Sequence, residues 1–184
     1  PYTGNDFTGD GNAVALWRLE ETSGNRADSS GNGNTLTDNN TVGYSTDAQE
    51  GTNSADFTGA ATEYLTIADA SLSSNFPLKS TGSNDDFSVT FRYKASTQPG
   101  QAGLVSKWDT SGNARGFMIR DNSSTLEFWI GRNSGASYEL LENSYTLSTG
   151  RWYHIGATFN NADKTWKLRV WDDTAGSVVL NASG

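Results

Sequence analysis

The chain has 184 residues and a mass of 19.7 kDa, with 13 Lys and Arg against 21 Asp and Glu, one His and no Cys. The missing Cys excludes a zinc-thiolate site, a disulfide scaffold and a cysteine nucleophile, and a net charge of -8 without a basic run excludes nucleic acid as a main partner. No stretch approaches the ~18 consecutive apolar residues of a membrane span, so no membrane insertion is expected. The chain opens on Pro1 rather than Met, which reads as a processed form or a piece of something longer.

Gly, Ser, Thr, Asn and Asp dominate between short apolar runs, and helix formers with a 3.6-residue period are hard to find. The composition is all-β. Residues 1–12 read as an N-terminal extension and 13–184 as one domain. In chain order, strands are predicted at Val14 to Leu19, Ser54 to Phe57 and Tyr64 to Ile67, then one helical turn near Ala70 to Ser74. Phe87 to Ala95 alternates most clearly, with Phe87, Val89, Phe91 and Tyr93 on one face and Ser88, Thr90, Arg92 and Lys94 on the other. Strands follow at Gly103 to Trp108, Gly116 to Arg120, Leu126 to Ile130, Glu139 to Leu141, Trp152 to Phe159, Thr165 to Trp171 and Val178 to Leu180. Turns are expected at Asp109 to Asn113, Asp121 to Ser124, Arg132 to Gly135 and Asn160 to Asp163, which carry residues that tolerate tight backbone angles. Short antiparallel strands at this spacing make a sandwich or jelly roll. Its core should enclose Trp17, Leu19, Phe57, Leu65, Phe87, Val89, Phe91, Phe128, Tyr153, Ile155, Phe159, Trp166 and Leu168, the in-phase apolar positions.

Several segments then stand out together. Ala15-Leu-Trp-Arg-Leu-Glu-Glu-Thr-Ser-Gly-Asn25, Asp28-Ser-Ser-Gly-Asn-Gly33, Ala55-Asp-Phe-Thr-Gly59 and Tyr64-Leu-Thr-Ile67 resemble the opening of laminin G-like domains of the concanavalin A-like lectin/glucanase superfamily. Asp86-Phe-Ser-Val-Thr-Phe91, Leu104-Val-Ser-Lys107 and Gly150-Arg-Trp-Tyr-His-Ile-Gly-Ala-Thr158 resemble its central strands, in the same order. The likeness runs from about Ala13 to Val170 and implies a jelly-roll β-sandwich of two antiparallel sheets. It also implies a last strand that the sequence, stopping at Gly184, lacks, so the sheet edge left open should be filled by another segment or chain or covered by residues 1–12.

The superfamily contains glucanases, whose E-x-D-x-x-E signature projects two carboxylates from one strand face. Nothing matches it here. Glu139 and Glu142 lie three apart, an offset that separates side chains across a regular strand. His154 alternates with Tyr153 and Ile155 and reads as a packed, hydrogen-bonded strand residue. No enzyme activity is expected.

The loop from Asp28 to Gly33 has two readings. Asp28 and Asn32 offer the oxygen ligands that Ca²⁺ prefers, and the resemblance implies calcium near this turn, with Asp56 standing in for the family's C-terminal acidic residue. The other reading is an Asx turn closed by its own side chain. For ligands, the resemblance implies that the hairpins from Gly103 to Glu142 form the sheet that binds them. Facing Phe117, Ile119, Leu126, Phe128 and Ile130 inward turns Met118, Arg120, Glu127 and Trp129 outward. Trp129 beside Arg120 and Glu127, with Trp108 at the rim, is the composition of a platform for a glycan or polysaccharide. Trp171 points out from the other sheet and suits a protein contact. The function expected is a carbohydrate-binding or adhesion module of a larger bacterial surface, secreted or phage protein, extracellular or on a virion. The alternative is a structural or decoration subunit of a virion or filament, acting through Trp171 or an open sheet edge.

Overall fold

A computed structural model describes residues 7, 9–59, 62–79, 85–123 and 125–184. The expected extension over 1–12 lies largely outside these residues, as does Ser124 of the predicted turn. The chain divides into two compact units, Pro1–Lys79 and Ser80–Gly184. Among the described residues no helix is long and apolar enough to cross a membrane.

The first unit is held together more by side chains than by strand ladders. Its strands are β1 (Thr37–Asn39), β2 (Gly43–Ser45), β3 (Ser54–Asp56) and β4 (Tyr64–Thr66), each three residues long, paired antiparallel as β1 with β4 and β2 with β3. β1 and β2 escaped the sequence reading because Thr-Asp-Asn and Gly-Tyr-Ser carry no alternation. The strand predicted over Val14 to Leu19 forms only an isolated bridge, Trp17 to Asp28. The reason is competition from side chains. Asp28 Oδ1 accepts the Leu16 amide at 2.9 Å, while the Val14 carbonyl accepts Ser30 Oγ, Asn32 Nδ2 and Asn34 Nδ2. Leu19 then takes a positive φ of 58°, which ends the extended run. The fully buried Arg26 plays a related part, donating from Nη2 to the Val42 and Gly43 carbonyls at 2.9 and 3.2 Å. The predicted helical turn is a 3₁₀ turn at Asp69–Ser71. Phe57, expected in the core, is 48% exposed because the β2–β3 ladder stops at Asp56.

In the second unit the alternation is realised over full strands. β5 (Phe87–Tyr93), β10 (Tyr153–Phe159), β11 (Trp166–Asp172) and β12 (Ser177–Ser183) form one antiparallel sheet in the order β12-β11-β10-β5. β6 (Ala102–Trp108), β7 (Arg115–Asn122), β8 (Thr125–Arg132) and β9 (Ser137–Thr146) form the other as a meander. The architecture is the all-β jelly-roll sandwich. Rings from the two sheets meet between them: Phe87 stacks on Phe117 at 4.6 Å and Phe128 meets Trp166 edge-on at 6.2 Å.

Phe87, Phe117, Ile119, Leu126, Phe128, Ile130, Tyr153, Ile155, Ala157, Leu168 and Val170 are buried, the phase read from the sequence. Val89, Phe91, Phe159 and Trp166 are half-buried rather than enclosed, since β5 is a terminal strand of its sheet and the other two sit at strand ends. Trp17, Leu19 and Leu65 of the first unit are half-buried too. Asp121, expected in a turn, is the seventh residue of β7 and fully buried. Its carboxylate accepts the Tyr93 hydroxyl at 3.1 Å and Gln98 Nε2 at 3.4 Å, a polar tie between the sheets. Since Phe128 is wholly enclosed, Phe128→Ala should cost about 3–5 kcal/mol in denaturant unfolding. A loss under about 1 kcal/mol would mean that the two sheets do not close on it.

Candidate functional site

The outer face of the β6–β9 sheet is built by alternation and then shaped at one end by two turns. Across β7 and β8 the register sets Met118 opposite Trp129 and Arg120 opposite Glu127, so all four project from the face away from Phe117, Ile119 and Phe128. The β6–β7 turn contains a 3₁₀ segment, Ser111–Asn113, and the β8–β9 turn places Asn133 and Ser134 at positive φ. Gly131 and Gly135 let these two turns close up. A Cβ at Gly131 would lie 2.0 Å from the Arg115 carbonyl oxygen, and one at Gly135 would lie 1.8 Å from that of Asn113. The approach lets Arg115 Nη1 donate to the Gly135 carbonyl at 2.8 Å.

The result is a cavity of about 240 Å³ lined by Trp108, Thr110, Arg115, Met118, Arg120, Trp129 and Tyr138. Its aromatic walls interlock, with Tyr138 edge-on to Trp108 at 5.6 Å and to Trp129 at 5.5 Å. Each arginine covers a ring: Arg120 lies 5.3 Å from the Trp129 centroid and Arg115 5.5 Å from that of Tyr138. Trp129 is therefore a half-buried wall capped by Arg120. The open ring is Tyr138, 54% exposed.

Glu127 organises this arrangement from beneath. It is 6% exposed, and its carboxylate accepts Arg120 Nε, Asn122 Nδ2 at 2.8 Å and Trp129 Nε1 at 2.7 Å. Burial pushes its carboxyl up, but the hydrogen bonds from Asn122, Arg120 and Trp129 and the Arg120 charge outweigh that and hold it below the usual range. Its side chain positions the residues that line the cavity.

A laminin G-type family model of the concanavalin A-like lectin/glucanases superfamily matches residues 59–171. The chain belongs to this superfamily. Every residue lining the cavity falls inside the matched stretch, whereas the Asp28 loop lies before it. Among curated proteins none matches the sequence.

Because the superfamily includes glucanases, the carboxylates of the β9 hairpin need placing. A bulge overturns the offset argument made from the sequence. The register shift between Phe128 and Trp129 sets Glu139 opposite Ile130 and Glu142 opposite Phe128, the same side of the sheet by register. Both groups are nevertheless engaged. Glu139 pairs with Arg132 at 3.0 Å, and Glu142 accepts the Asn143 and Ser144 amides at 2.9 and 2.6 Å. His154 lies on the outer face of the other sheet, opposite Trp171 and Arg92, with Nε2 2.5 Å from Thr90 Oγ1.

The Asp28 loop closes on itself. Asp28 Oδ1 accepts the Leu16 and Ser30 amides, and Oδ2 accepts Ser30 Oγ and the Asn34 amide, all at 2.9 Å. Asn32 turns its Nδ2 to the Ala13 and Val14 carbonyls at 3.2 and 3.1 Å. A carboxylate ringed by N–H and O–H donors does not fit a cation, and among the described residues no group of three His, Cys, Asp or Glu is assembled that could hold a metal ion. Asp56 stands exposed in β3, opposite Gly43. The geometry is that of the Asx turn.

Of the residues singled out from sequence, Trp108, Arg120 and Trp129 meet in one cavity, with Glu127 beneath them. Arg115, Tyr138, Met118 and Thr110 complete it. Tyr138 was missed because the predicted strand began at Glu139, one residue after it, whereas β9 starts at Ser137, and Arg115 because it follows a polar turn and precedes the predicted strand, which began at Gly116.

Two outcomes follow from these contacts. Asp28→Ala should lower stability by about 1–3 kcal/mol, because amides are left without an acceptor, while melting curves in chelator and in millimolar calcium should coincide for the wild type. A calcium-dependent rise in Tm that Asp28→Ala removes would contradict the turn assignment. Secondly, Glu127 and Asp28 are both held below their ordinary range, so their contribution is complete above about pH 5 and is lost as pH falls through the lowered values. Acid titration should therefore change Trp fluorescence in the wild type below about pH 4, and Trp129→Phe should remove the part of that change that belongs to the cavity.

Proposed function

We propose that the protein is a non-catalytic carbohydrate-binding or adhesion module and that the cavity on the β6–β9 sheet is its sugar site. The observation that carries this reading is the meeting of three aromatic rings and two guanidinium groups around one cavity, fixed from below by Glu127. Aromatic faces and edges pack against sugar C–H groups, and guanidinium N–H groups donate to ring and hydroxyl oxygens. The setting that suits such a module is a larger bacterial surface, secreted or phage protein working outside the cell.

One open ring and a shallow cavity give weak binding, with a Kd near the millimolar level that corresponds to about -4 kcal/mol. Adhesion then depends on several copies presented together. Tyr138→Ala removes the most exposed wall and none of the donors to Glu127, so it should weaken glycan binding about tenfold with little change in melting temperature, read by calorimetry and on multivalent glycan surfaces. Equal binding by wild type and Tyr138→Ala would place the site elsewhere.

A second reading rests on Trp171. It is 39% exposed and lies on the outer face opposite His154, a placement suited to a protein contact in a virion or filament subunit. Oligomers that dissociate in Trp171→Ala, together with silent glycan surfaces, would favour it.

A further inference from the structure

The charges around the cavity do not cancel. Arg120 is matched by Glu127, whose oxygens are committed to Arg120, Asn122 and Trp129. Arg115 has no such partner: among the described residues its one hydrogen bond runs from Nη1 to the uncharged Gly135 carbonyl, and its buried Nε has no acceptor. Asp109 feels the Arg115 charge but spends Oδ1 on the Ser111 amide and hydroxyl, both at 2.8 Å, and stands exposed. In a chain of net charge -8, the cavity thus holds a guanidinium without a paired carboxylate.

We infer that the cavity selects acidic saccharides, with Arg115 taking the carboxylate of a uronic acid residue while Tyr138 carries the face of its ring. Three features support it. The polar side-chain groups of the lining residues are the two guanidinium groups, the Thr110 and Tyr138 hydroxyls and the Trp108 and Trp129 indole N–H groups, so the lining offers donors and no carboxylate to compete with the ligand. The Arg115 guanidinium lies 5.5 Å from the Tyr138 centroid, so a pyranose packed on the open part of that ring has the cation within reach of a carboxylate it carries. A planar guanidinium matches a carboxylate in a two-point contact that an ammonium or a hydroxyl cannot reproduce.

The inference rests on the cavity being the sugar site, and the experiment separates the two claims. Oligomers of galacturonate, glucuronate and mannuronate are compared with their carboxyl-reduced counterparts, equal in linkage and length, by calorimetry and on multivalent surfaces. At least one acidic oligomer should bind about tenfold more tightly than its reduced form, as a charge-assisted pair implies. Arg115→Gln should abolish that preference, Arg115→Lys should keep part of it, and Tyr138→Ala should weaken acidic and reduced forms alike; the melting curve of each variant checks that it folds. Equal affinity for acidic and reduced forms, or a preference that survives in Arg115→Gln, would overturn the inference and leave the sugar site standing. Binding of neither form would overturn both.

Discussion

A nearly buried carboxylate, Glu127, accepting Arg120, Asn122 and Trp129, is the constraint from which the candidate site takes its shape. Removing such a group from water is costly unless each oxygen finds donors, and here the donors come from the elements that form the cavity. Arg120 and Asn122 lie on β7, Trp129 on β8. The pairing of Arg120 with Glu127 across these strands is also a register contact, so the sheet ladder and the polar network specify the same alignment. Arg120 is then held over the Trp129 ring, and the half-buried indole becomes a wall.

The open end of the sheet is set by backbone rather than by charge. Gly131 and Gly135 have no room for a side chain, since a Cβ at Gly131 would meet the Arg115 carbonyl at the start of β7 and one at Gly135 the Asn113 carbonyl of the β6–β7 turn. Their absence of side chains allows the Gly135 carbonyl to receive Arg115, which carries the cation to the cavity beside Tyr138. Two independent devices therefore converge on one place: a buried anion that orients Arg120, and a pair of close backbone contacts that delivers Arg115. Only the first neutralises the cation it positions.

The sandwich strands of the second unit were legible because period-2 alternation is strong when a strand must bury one face, as in Phe87 to Tyr93 and Tyr153 to Phe159. The outward phase of Arg120 and Trp129 followed from the same rule. Alternation fails where the backbone is irregular. The β9 bulge brought Glu139 and Glu142 to one side by register, and Tyr138 was hidden because it lies in the short stretch between a polar turn and the first residues read as strand. It fails again where side chains replace the ladder, as at Val14 to Leu19, where Ser30, Asn32 and Asn34 take the Val14 carbonyl and Asp28 takes the Leu16 amide. The same residues that resemble a calcium loop in the sequence close their own turn in the structure, because a carboxylate two residues before Ser30 reaches its amide and hydroxyl.

The dependence of the site on Glu127 is tested most directly at the Trp129 indole N–H. Its exchange with solvent can be followed by ¹⁵N NMR and assigned with Trp129→Phe. A hydrogen bond of 2.7 Å to a buried carboxylate should protect this proton at neutral pH, with protection lost in Glu127→Ala while the amides of β8 stay protected. A Trp129 indole proton that exchanges equally fast in the wild type and in Glu127→Ala would contradict the account.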